Sequence, residues 1–190
     1  TVLLVPLTLQ VHEVVYFNRI IDGWDQLGDL DAFRKSIEDV LGVALPAPTI
    51  ELSDDDLATL AAPVAPLDID VARQVVLDDG TTMSSGPTQV GADQLGPYLR
   101  AGDESESEVA RLERIGDVWT AWLEAIGESG GEEPIGAAAT GIGRFLRVLA
   151  SGPHAVEVLD VAEGDLVYGA APYLVPAEGF NEQVLDAVPL

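Results

Sequence analysis

Few residues in this sequence carry obvious chemistry, and each group has a plainer role beside the chemical one. His12 and His154 are the only imidazoles. A zinc site would need both, with a carboxylate such as Glu13 or Glu157 as a further ligand. Each histidine sits in a stretch with strand character, so the fold would have to bring two strands together. The plainer role for each is a sheet-surface or core histidine. Asp54-Asp55-Asp56, the pair Asp68 and Asp70, and Asp78-Asp79 present oxygens that suit a hard cation. No EF-hand spacing occurs, and 33 acidic residues produce such clusters by chance. Helix capping and hydration account for them.

The stretch from Gly136 through Gly141, Gly143 and Arg144 is the most motif-like. Glycines ahead of a helix let backbone amides approach a phosphate. A P-loop needs Gly-Lys-Ser/Thr, and a dinucleotide fingerprint needs a strand in front of it. Neither is present, so the glycines read as a surface for close helix packing. Nucleophilic catalysis has little support. There is no Gly-x-Ser-x-Gly elbow, and Ser84-Ser85-Gly86 and Ser129-Gly130 read as turns. The absence of cysteine excludes disulfides, thiolate metal sites and a cysteine nucleophile. Carboxylate pairs for glycoside cleavage stay open, because their separation is a property of the fold.

Charge is the strongest global feature. The 190 residues hold 33 acidic and 9 basic side chains, a formal net charge of −24, yet 47% are hydrophobic. That apolar content favours a folded globule over a disordered acidic chain. Lys35 is the only lysine, and the arginines (19, 34, 73, 100, 111, 114, 144 and 147) are scattered. Direct nucleic-acid binding needs clustered bases and is not expected. An anionic membrane surface is disfavoured on the same ground. Self-repulsion of this size is screened at about 1 M salt, where the Debye length is roughly 3 Å. The acids are dispersed through every element rather than set in a row. High salt is therefore the expected solvent, and a halophile the expected source.

The elements that must position these residues follow from periodicity. Val2 to Phe17 is strand-like, with Leu7, Leu9 and Val11 alternating with polar neighbours. Asp29 or Asp31 caps a helix to about Leu41, stopped by Gly42. Ile50 to Leu52 reads as a short strand. Ser53 to Asp56 reads as a capping box for a helix through Leu60. Asp68 to Leu77 and Thr81 to Ser84 form a hairpin about Asp78-Asp79-Gly80, and Ser85 to Gly102 reads as irregular. The clearest helix starts near Ser105 or Ser107 and carries Val109, Leu112, Val118, Trp119, Trp122 and Ile126 at helical spacing. A second begins near Pro134 and ends at Gly152-Pro153. Ala155 to Val161 and Leu166 to Tyr168 read as another hairpin, Tyr173 to Val175 as a sheet extension, and the tail from Glu178 as a helical turn or two. The expected fold class is α+β: a mixed or antiparallel sheet with two long amphipathic helices packed against it. Residues 1–190 read as one domain, with a subdivision into a β-rich part, 1–102, and a helical pair plus C-terminal hairpin, 103–190.

Trp119 and Trp122 lie three apart on one helix face, which suits core packing or, as the sharper reading, a partner anchor. Trp24 in its loop is a weaker candidate of that kind. The ends are apolar, and Val2, Leu3, Leu4, Val188 and Leu190 suit a sheet or a neighbouring subunit. These features point to a non-catalytic structural or assembly subunit of a halophile or its virus, joined to other protein subunits in a homo- or hetero-oligomer. Two alternatives stand beside it: a small halophilic enzyme using carboxylates with or without a divalent ion, and an acidic nucleic-acid mimic. No cofactor, catalytic residue or metal ligand is assigned. No run is long enough to span a membrane. The expected location is the cytoplasm, or a particle assembled there.

Overall fold

The structure is a computed structural model, and it describes residues 2–6, 30–45, 50–102, 106–129, 141–159, 161–163, 174–177 and 180–187. The chain divides into two compact units, one of residues 3–51 with 158–190, the other of residues 52–157 with Val2. Helices combine with small antiparallel and parallel sheets, so the fold is α+β.

In the larger unit, helix α2 (Asp54–Ala61) starts at Ser53, whose hydroxyl accepts from the Asp56 amide while Asp56 accepts from the Ser53 amide. This reciprocal pairing satisfies two orphan donors, as the sequence predicts. Strand β2 (Leu67–Val71) then alternates: Leu67, Ile69 and Val71 are buried, and Asp68 and Asp70 face out. Its partner is β5 (Gly86–Val90), antiparallel, with Leu67 opposite Val90 and Val71 opposite Gly86. Between them, β3 (Val75–Val76) and β4 (Thr82–Met83) close a tight hairpin. Gly80 takes the left-handed conformation there, φ +85°, and Asp79 accepts from the Thr81 amide at 2.8 Å. The turn is where the sequence puts it. The expected long arm from Asp68 is not continuous, because β2 ends at Val71 and pairs elsewhere.

Ser85 to Gly102 is ordered, against the sequence expectation. It holds β5 and helix α3 (Ala92–Arg100), which contains Pro97. Pro87 is tolerated because, among the described residues, β5 pairs only with β2 and its other edge carries no ladder bonds. Helix α3 opens with the Gln94 side chain accepting from the Gly91 amide at 3.0 Å. Its last carbonyls are satisfied from outside by Arg114. Ile50 to Leu52, expected as a strand, has no regular structure.

Helix α4 (Glu108–Glu128) begins at Ser107, whose hydroxyl accepts from the Ala110 amide at 3.1 Å. Leu112, Val118, Trp122, Leu123 and Ile126 are buried along one stripe. Helix α4 packs on β2 and on helix α5 (Gly141–Ala150), while α2 packs on α3. A Cβ built on Gly127 would lie 3.3 Å from the Ala150 carbonyl, so the two long helices approach closely there. The core joins Leu60, Leu67, Ile69, Val71, Val90, Leu95, Tyr98, Val118, Trp122, Leu123, Ile126 and Leu146.

In the smaller unit, helix α1 (Leu30–Leu41) ends where Gly42 turns to φ +68°. Arg34 and Glu38 pair along it at 2.9 Å, and Glu38 also accepts from the Leu45 amide at 2.9 Å. The arginine and that amide hold the Glu38 carboxyl below its usual range. Strands β7 (Val161–Glu163) and β8 (Leu174–Pro176) pair antiparallel, Val161 opposite Pro176. The expected partner of β7, Leu166 to Tyr168, lies outside the described residues. Helix α6 (Phe180–Ala187) buries Phe180 and Val184. The remaining strands are β1 (Val2–Leu4) and β6 (Val156–Val158); within the larger unit the Val2 amide donates to Ala155 O at 2.8 Å, and within the smaller the Leu159 amide donates to Leu4 O at 3.0 Å.

Candidate functional site

The most organised polar constellation sits where α3 meets the start of α4. Arg114 lies on α4 two turns beyond the Ser107 cap, with its side chain 5% exposed. Its Nε and Nη2 donate to Glu106 Oε1 and Oε2, both at 3.1 Å, in a bidentate fork. Its terminal nitrogens also donate to the carbonyls of Tyr98 and Ala101 at the end of α3. The guanidinium carbon stands 5.1 Å from the Tyr98 ring centroid. Arg73 approaches the same carboxylate, Nε to Glu106 Oε1 at 3.9 Å. One buried carboxylate therefore holds two arginines.

Around this centre lie groups of graded exposure. Arg111 pairs with Glu108 on the same helix, with two contacts at 3.1 Å. Arg100 pairs with Asp54, and at 3.5 Å with Asp78. Tyr98 is fully buried and its hydroxyl has no hydrogen-bond partner. Burial raises its pKa; Arg114 opposes the shift, and Asp117 and Glu106 add to it. The carboxyl of Asp117 is also raised, by desolvation first and then by Glu113 and Asp70. The arrangement suits an anion. Arg100 is exposed, Arg73 and Arg111 are partly buried and Arg114 is buried, and each of the four faces a carboxylate.

Two clefts elsewhere do not suit one. The larger, about 530 Å³, has apolar walls from Val64, Leu67 and Ala125 but carries Asp68, Glu124 and Glu128. The other, about 270 Å³, is bounded by Asp68 and Asp70. Carboxylates at both would repel a phosphate.

The residues singled out from the sequence fall in several places. Trp122 is 1% exposed in the core, and Trp119 packs beside it with ring centroids 5.4 Å apart. Leu4 is buried, and Val2 and Leu3 are half-buried. Trp24, Val188, Leu190 and His12 lie outside the described residues, as do Gly136 to Thr140. His154 contacts Gly152 O through Nδ1 at 3.0 Å. The aspartate clusters act as caps, turns and ion-pair partners. Among the described residues no group of three or more His, Cys, Asp or Glu could hold a metal, and no helix is long and apolar enough to cross a membrane. Sequence reasoning missed Arg73, Glu106, Arg111 and Arg114. Their signal was the spacing Glu108-x-x-Arg111-x-x-Arg114, which sets two of the few bases on one helix beside an acid.

No protein-family profile matches the sequence, and no curated protein does. Solved structures do match. TagT of B. subtilis superposes with a TM-score of 0.70 over 99% of this chain and 79% of its own, at 14% identity. A LytR-Cps2A-Psr enzyme from Actinomyces oris gives 0.66 over 97% and 78%, also at 14% identity. The fold is that of the LytR-Cps2A-Psr proteins. A further structure of that group, TagT with bound octaprenyl pyrophosphate lipid, gives 0.63 over 97% of this chain and 75% of its own at 14% identity.

The LytR-Cps2A-Psr fold corrects the reading of this chain as a non-catalytic assembly or virion subunit. That reading rested on apolar ends, a tryptophan face and the lack of a visible catalytic constellation. Trp122 is spent in the core, and Leu4 is buried at the start of its own chain's sheet. The LytR-Cps2A-Psr fold covers nearly the whole chain and is one that solved enzymes carry.

Proposed function

We propose that this protein is an enzyme of the LytR-Cps2A-Psr fold that binds a pyrophosphate-bearing polyprenyl lipid. The observation that carries the reading is the likeness, over 97% of the chain, to the TagT structure with bound octaprenyl pyrophosphate lipid. The arginine centre supports it. The Arg111 and Glu108 side chains are 26% and 19% exposed, so a headgroup with several negative charges can reach Arg111 and replace Glu108 as its partner. Breaking a buried pair by loss of one partner costs about 3–5 kcal/mol. Arg114 therefore stays on Glu106 and the α3 carbonyls, and acts as a positioning residue.

Calorimetric titration with a short-chain polyprenyl pyrophosphate, in high salt, tests this. Saturable binding is expected, weakened about tenfold by Arg111→Gln, a loss near 1.4 kcal/mol. The matching prenyl alcohol should bind far more weakly. Equal binding of alcohol and pyrophosphate, or none of either, overturns the proposal.

A further inference from the structure

Helix α5 breaks the charge pattern of the whole chain. From Pro134 to Val156 there is no acidic residue, the longest such run in a sequence with 33 acids. Within it, α5 carries Arg144 and Arg147 and no acidic residue of its own. Its inner face packs Ile142, Leu146 and Leu149 on the core of the larger unit. Its outer face is equally well defined. Gly141, Arg144, Phe145, Val148, Ser151 and Gly152 are all exposed and follow one another at helical spacing. Phe145 is 63% exposed and Val148 65%, the most open large apolar side chains among the described residues.

Single exposed apolar residues are ordinary. Here two lie one turn apart, beside an exposed arginine, on a face without a carboxylate. We propose that this face docks on a phospholipid surface. Phe145 and Val148 enter the boundary between headgroups and acyl chains, and Arg144 lies at the headgroup phosphates. A carboxylate on the face would be repelled by those phosphates and costly to desolvate, which accounts for the acid-free run. The charge of the rest of the chain opposes approach to lipid over long distances. In high salt that repulsion is screened within a few ångströms, and the short-range apolar contact decides the outcome. A second copy of the chain fits less well, because two such faces would bring Arg144 against Arg144.

The inference goes beyond the ligand proposal and is tested without that ligand. Vesicles of phosphatidylcholine with phosphatidylglycerol, free of polyprenyl lipid, are sedimented with the full chain in about 2 M salt. The protein is expected in the pellet, with the bound fraction lowered about tenfold by the double variant Phe145→Ser/Val148→Ser and further by Arg144→Glu. The substituted side chains are exposed, so unchanged circular dichroism and melting should accompany the loss. Absence from the pellet overturns the proposal, as does pelleting indifferent to all three substitutions. Self-association in light scattering that the double variant abolishes would assign the face to a second copy instead, and overturns it too.

Discussion

Arg114 and Glu106 meet through two parallel contacts of 3.1 Å while their side chains are only 5% and 3% exposed. A buried pair of this kind is weak evidence of net stability, since two charges had to leave water. Its breakage is another matter. Removing Glu106 leaves Arg114 buried without its counter-ion, and Arg73 loses the same partner. Glu106→Ala is expected to lower unfolding free energy by about 3 kcal/mol, read from denaturant midpoints at fixed high salt. A loss under about 0.5 kcal/mol, the scale of an ordinary surface change, would show that the fork is not what holds α3 to α4.

Tyr98 points the other way. Its ring is fully buried, but its hydroxyl has no partner. An unsatisfied buried polar group costs about 1–3 kcal/mol. Tyr98→Phe removes it without opening a cavity, so the variant should be more stable by about 1 kcal/mol. Thermal melting checks this. A destabilised variant would mean that the hydroxyl has a role in the fold.

Asp117 gives the pH dependence a distinctive sign. Its carboxyl is raised by desolvation and by Glu113 and Asp70. The folded protein therefore binds this proton more tightly than the unfolded chain does. Stability from this group falls as pH rises from the ordinary carboxylate range through the raised value, and the penalty is fully present above it. Asp56 and Asp79 are lowered, by Ser53 and by Thr81, and act oppositely: their contributions hold above the ordinary range and fade as pH drops below it. Asp117→Asn should raise the melting temperature at neutral pH and leave it unchanged in acid, where the wild-type carboxyl is already neutral. An equal rise at both would refute the assignment.

Salt should act on the whole molecule. With a net charge of −24, the folded chain repels itself at low ionic strength. Melting temperature is expected to climb between about 0.1 and 2 M salt as the Debye length shrinks. A flat profile would remove the case for a high-salt solvent.

The capping box offers a local check. Ser53→Ala should cost about 1 kcal/mol through the loss of the α2 cap. Ser53→Gly should cost only a few tenths, because glycine tolerates that position. No loss in Ser53→Ala would indicate that the hydroxyl contact to Asp56 contributes nothing.

The elements legible in the sequence were those decided locally. Helix α1 with its Gly42 stop, the Ser53 box, the turn at Asp79-Gly80 and the apolar stripe of α4 need only neighbours in sequence to explain them. Helix α3 was illegible because Pro97 and the surrounding glycines suggest irregular chain, and its end is completed by Arg114 from another helix. The pairing of β2 with β5 skips a whole hairpin, which periodicity does not encode. The candidate site was hidden for the same reason. Arg73, Tyr98, Glu106 and Arg114 are scattered in sequence, and only the packing of α3 against α4 makes one cluster of them.

The tryptophan pair of α4 gives the larger unit its own optical reporter. Trp122 is sealed in the core, while Trp119 beside it is only partly covered, with rings 5.4 Å apart. Two indoles so close exchange excitation, yet iodide reaches the outer one first. Loosening of α4 from β2 should therefore appear as a red shift and a new quenchable fraction before the helix itself melts.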